Sequence, residues 1–322
     1  MTLSAQYVVK VADCDHGSID IERGVLREAC PSLPWLNCRT EDAVIAQCAD
    51  TEALLIMYAP LTRRVLGHLT SCKSIVRYGV GVDTIDLRAA ADLGIIVSNV
   101  PDYGTQEVAD HALALMMCLT RKIVRANAQV KRGEWDFRQM RPVHRLQVQT
   151  AGLIGMGRIG QAMAHKVHAL GMRVIAFDPA AAPEHVPDYV EMVGLEELLR
   201  ASDVVSVHCP LTERTRNLLS EDRLRLMKPI AYLVNTARGN LVDEAALDRL
   251  LSEGRLAGAG FDVFGIEPPP ADYPLLRHET FICSPHMAWH SDEAERDLKR
   301  SAAEEALRVL RGEPPKYQVN RF

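Results

Sequence analysis

Apolar and polar positions recur along this chain in two rhythms, and the order in which they alternate predicts its architecture. Short, mostly apolar runs predict strands at 7–11, 53–57, 74–78 and 95–98. The same signal returns at 151–154, 173–177, 204–208, 232–235, 257–262 and 281–284. Three-to-four-residue apolar spacing predicts helices between them, as at 19–29 and 86–93. Strand and helix alternating from end to end is the rhythm of parallel sheets covered by helices. Because the rhythm stops near residue 100 and resumes after 150, two sheets are expected, giving an α/β fold of two doubly wound parallel-sheet domains. A helical pattern over 105–130 can carry the chain from one sheet to the other, and a closing helix at 292–311 can return it. The first domain would then be discontinuous, 1–100 with 291–322, around an inserted domain of 101–290.

The start of the second sheet carries the most specific chemistry. Residues 151–178, AGLIGMGRIGQAMAHKVHALGMRVIAFD, place strand, glycine turn, helix, strand and acid in series. Gly155 permits the tight turn off the strand, Gly157 lets backbone approach a pyrophosphate, and Gly160 lets the helix pack closely. The helix would begin with free N–H groups facing the phosphates, with Arg158 and Ile159 in its first turn. Asp178, 18 residues beyond Gly160, stands at the second strand's end, where a carboxylate accepts hydrogen bonds from an adenosine ribose and repels a 2′-phosphate. The inserted domain therefore reads as a Rossmann dinucleotide-binding domain, with NAD favoured over NADP.

Composition removes competing classes. A net charge of −5 offers no electrostatic case for nucleic acid. The longest apolar run in the helical region, 112–119, is too short to span a bilayer, and no signal-peptide pattern opens the chain, so no membrane partner is expected. Eight cysteines (Cys14, Cys30, Cys38, Cys48, Cys72, Cys118, Cys209 and Cys283) form no CxxC pair and no zinc spacing. Reduced, mostly structural thiols in a cytoplasm follow, and no metal site.

Three segments fall at or just past strand ends, where ligands of open parallel sheets collect. They are NTARG at 235–239, DVFGIEP at 262–268 and SPHMAW at 284–289, and they supply a guanidinium, a carboxylate and an imidazole. Moving hydride to or from a carbonyl carbon needs a proton donor at the oxygen, for which His286 is the candidate. Glu267 is its natural partner, favouring the imidazolium and orienting the ring. Arg238 can hold a substrate carboxylate through two parallel hydrogen bonds and polarise the adjacent carbonyl, a fork that lysine lacks. Trp289 can be a packing residue or a substrate wall; as a wall it would favour an apolar or sulfur-containing substrate side chain.

These residues, with YGVGVDTIDL (78–87), GIIVSNVPDYGTQEVADHALAL (94–115), GMGRIG (155–160) and NTARGNLVDEAAL (235–247), resemble the D-isomer-specific 2-hydroxyacid dehydrogenases over most of the chain. The resemblance implies a flavodoxin-like substrate-binding domain around the Rossmann domain, with a cleft between them. It also implies reversible hydride transfer between NADH and a small 2-keto acid, with Arg238, Glu267 and His286 catalytic. Main-chain amides around Val80 and Gly81 would hold the substrate carboxylate. Thr105, Arg158, Ile159, Asp178, His208, Pro210, Thr215, Thr236 and Asp262 would line the coenzyme. Within the family the chain looks most like the C-terminal binding protein-like branch, in which Arg77 and Trp289 would border the substrate. An NAD(H)-sensing interaction protein and a short-form phosphoglycerate dehydrogenase are the alternatives. A homodimer is implied, joined through the helix from Thr105 and the segment Gly133–Glu134–Trp135.

Overall fold

The computed structural model describes residues 6–321. The chain divides into two compact units, Met1–Gly104 with Ser291–Phe322, and Thr105–His290. Residues 1–5 and 322 of the expected first domain lie outside the described residues. The dividing point falls four residues after the expected 100/101, because the helix Thr105–Thr120 packs on the second unit's sheet and on the helix Arg158–Ala169.

Among its described residues the first unit is built on four parallel strands in the order β1 (Val9–Val11), β2 (Ala53–Ile56), β3 (Ser74–Arg77) and β4 (Ile96–Ser98). All four residues of β2 are buried, as expected of a continuous apolar run covered on both faces. A parallel bridge between Val11 and Trp35, with Leu36 N donating to Val11 O at 2.9 Å, lays one more extended segment along the free side of β1. Counted along the chain, that segment makes the order 2-1-3-4-5, the flavodoxin-like form of doubly wound sheet. The segment was invisible in the pattern because Pro34 cannot donate to a ladder and Trp35 stays exposed. The closing helix, Asp292–Leu310, covers β2 and β3. Ser291 starts it, its hydroxyl accepting from Ala294 N at 3.0 Å, and three acids in the first turn suit the positive end of the helix dipole.

The second unit carries seven parallel strands: β5 (Thr150–Ile154), β6 (Arg173–Phe177), β7 (Val190–Met192), β8 (Val204–Val207), β9 (Tyr232–Asn235), β10 (Gly258–Phe261) and β11 (Phe281–Cys283). Their spatial order is β11-β10-β9-β8-β5-β6-β7, the Rossmann arrangement extended by one strand. Neighbouring β5 and β8 connect onward in opposite directions, which opens a crevice at their carboxyl ends. β7 escaped the sequence reading because only one of its three residues is buried. The helix Glu244–Ser252 shows the usual logic of attachment: Asp243 caps it, and Ala246, Leu247, Leu250 and Leu251 share its buried stripe. Each buried leucine there contributes roughly 1.5–3 kcal/mol.

The expected helix 105–130 is two helices. Its first part, Thr105–Thr120, buries Ala109, Ala112, Leu115, Met116 and Leu119, after which Lys122 takes a left-handed φ of 55°. The second part, Ile123–Lys131, buries only Gln129 and has left the sheet. Among the described residues no helix is long and apolar enough to cross a membrane, and all eight cysteines are free.

Candidate active site

At the crevice the backbone itself makes the cradle. Gly155 leaves β5 with φ of +101°, and a Cβ there would lie 2.7 Å from the His208 carbonyl carbon, so the turn and the end of β8 approach as only glycine allows. Gly160 is equally constrained, since its Cβ would lie 2.1 Å from Gly155 O. A Cβ on Gly157 would meet nothing within 4 Å, so the space above that residue is open. Gly157 precedes the helix Arg158–Ala169, which no side chain caps, and the helix presents its first-turn N–H groups with Arg158 exposed and Ile159 half-buried. Asp178, just past β6, accepts from Met156 N and from Ala180 N, both at 2.8 Å. It thus ties the glycine turn to the second strand while each oxygen keeps a further lone pair.

The rim of this crevice has polar atoms waiting for partners. His208 Nε2 lies 2.9 Å from Ser206 Oγ, while its Nδ1 is buried with no hydrogen bond among the described residues. Desolvation pushes the His208 imidazole down to about 4, so the ring is neutral at physiological pH. Thr236 Oγ1, just past β9, is also buried without a partner among the described residues. Thr215 donates to Pro210 O at 2.7 Å and closes the loop after His208. Thr105 starts the helix Thr105–Thr120. An open glycine cradle, an uncapped helix start, a carboxylate at the second strand's end and two orphaned buried polar atoms fit a dinucleotide.

The second group of residues lies at the ends of β9, β10 and β11. Asn235 clasps the turn that presents Arg238: its Nδ2 donates to Arg238 O at 2.8 Å and its Oδ1 accepts from Ala237 N at 3.1 Å. Gly239 follows because a Cβ there would overlap the Phe264 carbonyl carbon at 1.9 Å. That close pass lays the arginine turn against the loop leading to Glu267. Within the loop, Phe264 N donates to Glu267 Oε1 and Gly265 N to Glu244 Oε1, both at 2.9 Å. Tyr273 holds the other oxygen of Glu244.

His286 Nδ1 and Glu267 Oε2 are 2.6 Å apart. Burial acts to raise the Glu267 carboxyl, but the hydrogen bond and charge of His286, the Phe264 amide and the Arg238 charge outweigh it, holding the group below the usual carboxylate range. With Glu267 ionised, Nδ1 carries the shared proton and Nε2 is left to exchange one. His286 itself has φ of 53°, a left-handed conformation that costs a non-glycine residue about 1–3 kcal/mol.

Asp262 offsets that cost. It is 1% exposed; its backbone O accepts from His286 N at 2.8 Å, Oδ1 from Ser284 Oγ at 2.6 Å and Met287 N at 3.0 Å, and Oδ2 from Ala288 N at 2.8 Å. Trp289 Nε1 donates to His286 O at 3.1 Å, so the indole braces the same turn. The clamps formed by Asn235, Glu244 and Ser284 were missed in the sequence. All three lie inside or beside the quoted motifs, but nothing in the spacing reveals a hydrogen bond.

Arg77, Val80 and Gly81 belong to the first unit, at the carboxyl end of β3. The Arg77 guanidinium lies over Gly79, where a Cβ would meet its Nη1 at 2.0 Å. Neither the Val80 nor the Gly81 amide donates a hydrogen bond among the described residues, while Val80 O accepts from Asn99 Nδ2 at 2.7 Å. No cluster of potential metal ligands occurs among the described residues.

The chain is similar to known proteins in sequence and fold. The family model for the NAD-binding domain of D-isomer specific 2-hydroxyacid dehydrogenases matches residues 113–288. Over 286 residues, 87% of this chain, the sequence is 38% identical to a glyoxylate reductase of Korarchaeum cryptofilum, covering 86% of that protein. It is 39% identical over 284 residues, 87% of this chain, to a D-3-phosphoglycerate dehydrogenase of Methanocaldococcus jannaschii, but spans only 54% of that longer relative. A solved structure of D-lactate dehydrogenase from Aquifex aeolicus, complexed with NAD and lactic acid, aligns with a TM-score of 0.86 at 28% identity, covering 95% of this chain and 96% of that one.

Proposed function

The chain belongs to the D-isomer specific 2-hydroxyacid dehydrogenases, and from that premise we propose that Arg238, Glu267 and His286 are its catalytic residues. Members of the family are NAD-dependent oxidoreductases of 2-hydroxy acids, and the activity here is reversible hydride transfer between NADH and a 2-keto acid. The observation that carries the assignment of residues is the 2.6 Å contact between His286 Nδ1 and Glu267, beside Arg238, at the ends of adjacent strands.

NAD, when bound, supplies or accepts the hydride. Gly155, Gly157 and Gly160 with the first turn of the helix at Arg158 and Ile159 would hold its pyrophosphate, and Asp178 would accept from its ribose and disfavour a 2′-phosphate. Thr105, His208, Pro210, Thr215 and Thr236 would line the rest, and Asp262 would contribute by holding the catalytic turn. Arg238 anchors the substrate's carboxylate and draws electron density from its carbonyl. His286 gives its Nε2 proton to the carbonyl oxygen during reduction and takes it back during oxidation, while Glu267 fixes the tautomer and balances the imidazolium. Arg77 and the free amides of Val80 and Gly81 are assigned to a substrate anion, and Trp289 to bracing His286 and bordering the pocket. Arg77 and Trp289 are also the residues on which a place in the C-terminal binding protein-like branch rests.

The test is NADH oxidation against glyoxylate, pyruvate, hydroxypyruvate and longer keto acids, with chiral analysis of the product. Turnover of at least one compound to the D-2-hydroxy acid is expected. Silence on every compound alongside tight NADH binding would replace the enzyme by a sensor.

We also propose a homodimer in a reducing cytoplasm. The contact proposed is the helix Thr105–Thr120 together with the segment after it, where Trp135 is 89%, Phe137 75% and Val148 74% exposed. Large apolar side chains this exposed suit coverage by a second copy of the chain. Sedimentation should give twice the chain mass, and Trp135→Ser should lower it; a wild-type monomer at every concentration would exclude the dimer.

A further inference from the structure

The catalytic turn is reached from a third direction that the proposed mechanism does not use. His111, on the helix Thr105–Thr120, places Nε2 2.7 Å from Ser284 Oγ, and Ser284 Oγ lies 2.6 Å from Asp262 Oδ1. The serine hydroxyl has one proton, and the carboxylate can only accept it. His111 must then be the tautomer with hydrogen on Nε2, giving a directed chain: His111 Nε2–H to Ser284 Oγ–H to the Asp262 carboxylate. His111 Nε2 also lies 3.7 Å from Asp262 Oδ1 itself.

Sequence explains how the helix comes so near. β10 reads Gly258-Ala-Gly260-Phe, and a Cβ on Gly260 would stand 3.1 Å from Leu119 and 3.3 Å from Leu115. Without those side chains the helix settles onto the strand. It runs opposite to β10, Leu119 reaching both Gly258 and Gly260 and Leu115 only Gly260, so the next residue toward its start on that face, four before Leu115, arrives at the strand's carboxyl end. That residue is His111, and that end is Asp262.

We propose that His111 is a positioning residue for catalysis, holding the left-handed turn of His286 through Ser284 and Asp262. The inference rests on the assignment of His286 as proton donor. Asp262 meets the backbone N–H groups of His286, Met287 and Ala288, one through its carbonyl and two through its carboxylate. The Ser284 hydroxyl and His111 behind it set where that carboxylate sits. Linked hydrogen bonds of this kind strengthen one another in a low-dielectric setting. Loss of the outer donor would rotate Asp262 and with it the imidazole, without touching the coenzyme cradle.

Three variants test this: His111→Phe, which keeps a ring and loses the donor; His111→Gln, which keeps an N–H; and Ser284→Ala. For keto-acid reduction, His111→Phe should lower kcat about tenfold, the worth of one hydrogen bond to a charged network, with KM and the NADH Kd within about twofold. His111→Gln should recover most of the loss, and His111→Phe combined with Ser284→Ala should be no slower than Ser284→Ala alone. Amide hydrogen exchange at Met287 and Ala288, read without any substrate, should quicken in His111→Phe. Wild-type kcat in His111→Phe, a loss that glutamine does not restore, multiplying losses in the double variant, or unchanged exchange at both amides would each overturn the proposal. An inactive wild-type enzyme would instead overturn the assigned function, and the exchange measurement would still decide the role of His111 in the turn.

Discussion

The two halves of the candidate site, both at strand ends of one sheet, are made from opposite materials. The coenzyme half, at β5, β6 and β8, works by leaving side chains out: Gly155 and Gly160 admit backbone at distances no Cβ tolerates, and Gly157 leaves open space. The chemistry half, at β9, β10 and β11, works by adding them, with Asn235, Glu244, Asp262 and Glu267 each spending side-chain oxygens on the backbone of a loop. On the proposed assignment, binding is entrusted to main chain and helix dipole, and reactivity to a strained turn stabilised by carboxylates. The two should fail separately.

Substituting the proposed proton donor should produce the largest break. His286→Ala is expected to cut turnover by roughly 10²–10⁴, the usual worth of a general acid, with NADH affinity nearly unchanged in a binding titration. Parallel loss of both would mean that the halves are one unit. Gly160→Ala should do the converse. Its new Cβ meets Gly155 O, and overpacking of about 1–3 kcal/mol implies NADH binding roughly tenfold to hundredfold weaker; near-native affinity by calorimetry would show that the helix can give way.

Glu267→Gln should have the smallest effect at neutral pH, about tenfold in kcat, because the imidazole keeps a hydrogen-bond acceptor and loses a charge. Its signature is pH dependence. The Glu267 carboxyl is depressed in the folded protein, so the stability it contributes is fully present above its unfolded value of about 4.3 and is lost as pH falls through the lower folded value. Wild type should therefore shed this stabilisation in acid, and Glu267→Gln should lack that component. Identical acid unfolding curves for the two proteins would contradict the pairing.

The same contrast explains what the sequence made legible. Glycines that permit close approach leave a spaced pattern, and so do apolar runs such as Ala53–Ile56, which is why both sheets and the glycine turn could be read directly. Arg238, Glu267 and His286 were readable as chemical types at strand ends. Their clamps were not: Asp262 serves the turn of His286 through bonds to residues more than twenty positions away, and only the three-dimensional path of β10 beside β11 brings them together. Trp35 and β7 were missed for the plainer reason that segments so short, with so little buried, have no periodicity to detect. The break at Lys122 was hidden because helical spacing persists across it while the buried stripe does not.

If Glu267 acts on the reaction through His286, the two residues form one functional unit. Single-turnover rates of NADH oxidation for wild type, His286→Ala, Glu267→Gln and the double variant measure that coupling directly. Glu267→Gln, costly in wild type, should change the rate by less than about twofold once His286 is alanine. Losses that multiply across the two positions would show that they act independently.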